Sequence, residues 1–173
     1  MKKHIIIVVC VAVFLLLAVP AGIIAYNRFF PDEYVVAEDE IALRVQLDTA
    51  EDIGLLVYDY EILGHDRSGG MSNADRSMIK HDEELIIVWN REELETELDE
   101  KLPEGDIPME LTFRIITEYT DPNFENIYPE DITVYLDPME LDVALGQEYR
   151  ITITGDSENG YQASPSRSRS PHV

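Results

Sequence analysis

The chain has 173 residues, with 35 Asp or Glu against 13 Lys or Arg and a formal net charge of −22. Such a surplus repels nucleic-acid phosphates and anionic headgroups, which argues against nucleic-acid binding, and it attracts a basic protein, a cationic surface polymer or a divalent cation. Solubility alone would also account for it. With Cys10 as the only cysteine, no internal disulfide can form, so any folded region depends on its packed core.

From Ile5 to Ala25 there are 21 residues without charge. As a helix rising about 1.5 Å per residue, this run reaches about 30 Å, the thickness of a bilayer core. Lys2 and Lys3 precede it, Arg28 follows it, and every acidic residue lies between Asp32 and Glu158. The basic amino end favours a cytoplasmic N-terminus and an exported remainder. Val19-Pro20-Ala21 has the small-residue look of a cleavage site, but the apolar run is longer than the roughly 7 to 15 residues of a signal-peptide core. Cys10 reads as one more small apolar side chain within the anchor.

The expected organisation is a short cytoplasmic N-terminus (1–4), a transmembrane anchor (5–25) and a juxtamembrane linker (26–39). An extracytoplasmic β-rich domain (40–163) and a disordered polar tail (164–173) follow, in a single-pass protein of the cell membrane. The linker carries Pro31, which interrupts a continuing helix. The tail is rich in Ser, Pro and Arg and has no hydrophobic period.

Within the exported region, Ile41, Leu43, Val45 and Leu47 alternate with polar or small residues, a strand over 41–47. Leu55, Leu56, Val57, Tyr58 and Tyr60 mark a second over 53–62, which Gly64 ends. Residues 63–84 have no strand pattern. They read as a long loop with a turn at Gly69-Gly70 and a short helix capped by Ser72 and Asp75, running to about Lys80.

The apolar run 85–89 is a third strand, with Trp89 on its buried parity. Asn90 then caps the one amphipathic helix, 91–102, with Glu93 as its capping-box acid and Leu94, Leu98 and Leu102 on one face. Strands are expected at 109–119, 132–136, 140–144 and 149–154, with a loop over 120–131. Seven strands and one helix describe a mainly antiparallel, β-sandwich-like domain. The tripeptide Met109-Glu110-Leu111 recurs as Met139-Glu140-Leu141, but the flanking sequences do not match, so no duplication is inferred.

Chemistry is harder to find. His65 and His81 are the only histidines of the exported fold; they form no close pair and have no thiol beside them, which leaves zinc poorly supported. Ser68, Ser72 and Ser77 lack a strained Gly-x-Ser-x-Gly turn. Gly69-Gly70 has no lysine at phosphate-loop spacing. Carboxylates are too abundant for any pair to mark a glycosidase.

Calcium prefers carboxylate and amide oxygens, for which Asp66, Asn73 and Asp75 in the first long loop are the candidate ligands. Asp121, Asn123, Glu125 and Asn126 form a second group; neither has EF-hand spacing. The function expected is a membrane-tethered extracytoplasmic interaction or sensor domain without evident catalysis. An extracytoplasmic enzyme with a noncontiguous site, or a calcium-binding β domain, are the alternatives.

The anchor reading generates a first prediction: the membrane-associated product retains residues 5–25. Mass analysis finding a mature chain that begins at Gly22 would overturn it.

Overall fold

The computed structural model describes residues 34–118 and 129–165. The segment 5–25 with Cys10, the oxygen-rich group Asp121, Asn123, Glu125 and Asn126, and the tail from 166 lie outside them. Among the described residues, no helix is long and apolar enough to cross a membrane.

The described chain runs β1 (Glu40–Thr49), β2 (Leu55–Ile62), β3 (His65–Met71), β4 (Glu84–Asn90), α1 (Arg91–Leu98), β5 (Ile107–Ile116), β6 (Thr133–Tyr135), β7 (Met139–Val143), β8 (Gln147–Asp156) and β9 (Gly160–Pro165). A single 3₁₀ turn, Glu130–Ile132, leads into β6. These elements form two sheets. The first has the order β4-β1-β8-β9, and the second β3-β2-β5-β6 with β7 also paired to β5. Every pairing is antiparallel except that of β1 with β8.

The two-residue period puts one side of each strand into a shared core. Ile41, Leu43, Val45 and Leu47 from β1 meet Leu56 and Ile62 from β2 and Leu111, Phe113 and Ile115 from β5, all fully buried. Trp89 from β4 packs edge-on against Tyr58 and Tyr60 of β2, with ring centroids 6.0 and 5.3 Å apart. Its expected burial is observed.

Helix α1 begins where the sequence places it. The Asn90 side chain accepts from the Glu92 amide at 2.9 Å, so the cap bond forms at Glu92 and not at the expected Glu93. The helix is shorter than 91–102, because Asp99 takes a left-handed conformation (φ 52°) and closes it after Leu98. Leu102 is still buried with Leu94 and Leu98, so the apolar face continues past the last helical turn.

Two strands emerge where none was expected. Residues 65–71 form β3 and not a loop, in a hairpin on β2 whose turn residues Leu63 and Gly64 both have positive φ. The sequence His-Asp-Arg-Ser-Gly-Gly-Met lacks strand-forming side chains, and its order comes from cross-strand fit. Gly69 lies under the Tyr58 ring, where an added Cβ would collide with the phenol. The second unexpected strand, β9, carries the fold through Ser164 and Pro165, the first two residues of the expected tail.

The helix expected from Ser72 is absent. Asp75 Oδ1 instead accepts from Ser77 N at 3.0 Å and Ser77 Oγ at 2.7 Å, and Arg76 has φ 64°, which closes a turn. That segment joins the body of the domain through the Ile53–Ile79 bridge.

On the outside of the first sheet, Arg44 is only 5% exposed. Its Nη1 donates to Glu84 of β4 at 2.6 Å and its Nε to Glu148 of β8 at 2.7 Å, so one guanidinium ties the central strand to both neighbours. Burial raises the Glu148 carboxyl, but the bonds from Arg44 and then Arg150 more than reverse this and hold it below the usual range.

Arg44→Ala would leave Glu84 and Glu148 beside a desolvated gap with Arg150 alone, at 3.6 and 2.9 Å, to neutralise them. It should cost about 2 to 3 kcal/mol, short of a fully buried pair because Glu84 and Glu148 keep 32% and 25% of their surface. Urea denaturation should show a lower midpoint at unchanged slope. A change below about 0.5 kcal/mol would remove Arg44 as the clasp of this sheet.

Candidate functional site

The outer face of the second sheet is built by the strand parity opposite to the core. Ile62, Met109 and Leu141 point inward, so Glu61, Glu110 and Glu140 beside them in sequence point out. Register then aligns them: Asp66 pairs with Glu61, Glu61 with Glu110, and Glu110 with Glu140. Four exposed carboxylates from four strands therefore form one cross-strand row, about 14 Å long at the usual spacing between strands.

The two Met-Glu-Leu tripeptides meet in this row. Met109 pairs with Leu141, Glu110 with Glu140 and Leu111 with Met139. The repeat is thus a pair of facing strand segments related by a local two-fold, which places two glutamates directly opposite each other.

Like charges in directly opposed positions are destabilising, by roughly 1 kcal/mol per neighbouring pair in water and less in salt. Among the described residues, none of the four has a cationic side chain within ion-pair distance. Arg67, next to Asp66 in sequence, makes no ion pair with its carboxylate; its guanidinium donates to the Asp66 backbone carbonyl at 2.9 Å and to the Glu97 carbonyl in α1.

The neighbouring row is different. Asp59 receives a two-pronged bond from Arg114, Nε to Oδ2 at 2.6 Å and Nη2 to Oδ1 at 2.7 Å. Burial pushes the Asp59 carboxyl up, but Arg114 and Ser68 outweigh it and hold the group below the ordinary range. Shallow clefts flank the unneutralised row. One of about 480 Å³ lies against Leu63, Pro108, Glu110 and Asp142, and one of about 450 Å³ against Asp59, Ser68, Asp66 and Thr112.

The calcium candidates do not assemble. Asp66 belongs to the row, whereas Asn73 and Asp75 follow the far end of β3, about 17 Å or more along the strand. Asn73 Nδ2 donates to Ser77 Oγ and to the Met78 carbonyl, both at 3.1 Å. The Ser77 hydroxyl and amide hold the Asp75 carboxyl below its usual range. Among the described residues, no group of three or more His, Cys, Asp or Glu is arranged around a single metal position.

The two histidines sit on different elements. His65 Nε2 is 4.0 Å from Glu100, and His81 Nδ1 is 2.9 Å from Asp52, which also accepts from Lys80 at 2.6 Å. Those bonds, Lys80 first and His81 second, set the Asp52 carboxyl far below its normal value. Ser68 is on the outer face of β3, where its hydroxyl lies 3.4 Å from Arg114 Nη2.

No protein-family model matches the chain, and no curated protein matches it. Among solved structures, an NMR structure of a protein from Eubacterium rectale aligns with TM-score 0.37 and 10% identity, over 76% of this chain and 93% of that one. The membrane-binding domain of pneumolysin aligns at 0.35 and 12%, over 76% and 99%. A non-hemolytic pneumolysin from Streptococcus pneumoniae strain ST306 aligns at 0.36 and 11%, over 76% of this chain but 24% of that one. Likenesses this loose support no conclusion about what this chain binds.

The Asp59–Arg114 pair makes stability depend on pH. Because the native Asp59 carboxyl titrates below its unfolded value of about 3.9, its contribution is full above that pH and disappears as pH falls through the lower native value. Asp59→Asn should therefore cost about 1 to 2 kcal/mol at pH 7. In urea titrations the gap between parent and variant should shrink steadily below about pH 4. A gap independent of pH would show that the ion pair is not its source.

Proposed function

We propose that the chain is a membrane-tethered extracytoplasmic interaction domain that docks a lysine- or arginine-rich protein segment on the outer face of its second sheet. The observation that supports this is the row Asp66–Glu61–Glu110–Glu140, aligned by register and lacking a cationic partner among the described residues. A row spread over about 14 Å matches several separate cations better than one ion, which favours a polycationic segment over a divalent metal. The clefts on either side give long side chains room to lay their aliphatic stems against Leu63 and Pro108.

The location rests on the sequence: the uncharged run from Ile5 to Ala25, the lysines before it and the acidic remainder. On this reading the anchor holds the domain at the outer surface of the membrane. Complementary charge would then steer basic partners to it at a rate that falls with ionic strength. The reading assigns no bond-making step, so it differs from the enzyme alternative in requiring no turnover.

The test titrates the full chain, held in discs of neutral lipid, with a labelled lysine- and arginine-rich peptide at several salt concentrations. Saturable binding that weakens with salt is expected, and Glu110→Gln with Glu140→Gln should lower affinity roughly tenfold, about 1.4 kcal/mol. The same pair should leave thermal stability unchanged or raised, because it relieves like-charge opposition. Equal affinity in parent and variant would overturn the site. Saturable calcium binding lost in the same variant, without peptide binding, would place an ion there instead.

A further inference from the structure

We draw no further inference here: the strongest candidate, the outer edge of β9 at the end of the first sheet, pairs with β8 on one side only, and nothing in the structure shows what covers the other.

Discussion

The register between β2 and β5 is the constraint on which both the core and the acidic face depend. Its pairs run from Leu55 with Ile116 to Ile62 with Met109. A slip of one residue would turn Glu61 into the core and Ile62 out of it, because side chains alternate with a period of two. The alignment is held from inside by the full burial of Leu56, Ile62, Leu111 and Phe113. Burial of these apolar side chains thus fixes where the carboxylates stand, although the carboxylates contribute nothing favourable to that choice.

The few cations of this domain are spent on structure. Arg44 and Arg150 join Glu84 and Glu148 across three strands of the first sheet, and Arg114 neutralises Asp59 on the second. Lys80 and His81 bind Asp52, which fastens the segment after β3 to the turn between β1 and β2. Tyr161 donates to Glu51 at 2.6 Å and closes the β8–β9 hairpin against that same turn. Where a carboxylate helps to hold strands together, a donor is close by. The row on the outer face shows no such pairing among the described residues, and this contrast within one molecule singles it out.

Much of the fold was legible because its signals are local. Alternation over 41–47, the apolar run before Asn90, and the four-residue spacing of Leu94, Leu98 and Leu102 each report on neighbouring positions of the chain. β3 was not legible, since His65 to Met71 carries no strand propensity of its own and is ordered by β2 and by the space Gly69 leaves for Tyr58. Asp75 shows the converse. Its side chain suits the N-terminus of a helix, but Ser77 completes an Asx turn with it, and the expected helix does not form. The acidic row was hidden for a different reason. Glu61, Glu110 and Glu140 lie far apart in sequence, and only the pairing of three strands brings them into line. The repeated Met-Glu-Leu was visible, yet its meaning required knowing that the two copies face each other.

Solubility does not explain that line. A soluble surface needs charge of one sign in excess, and scattered positions supply it with little mutual repulsion. On this same face the adjacent row places Ser68 and Thr112 on either side of Asp59 and draws Arg114 onto it, so the sheet accommodates neutral and compensated residues next to the uncompensated ones. Concentrating four carboxylates into direct opposition lowers stability for no gain in solubility. A basic partner of the kind proposed above would offset that repulsion, which would then become part of the driving force for binding. The local two-fold of the paired tripeptides extends the row to its fourth member, because the register of β7 on β5 sets Glu140 opposite Glu110. The short strand after Pro138 therefore completes the face as well as the core, with Met139 and Leu141 packed inward and Glu140 turned out.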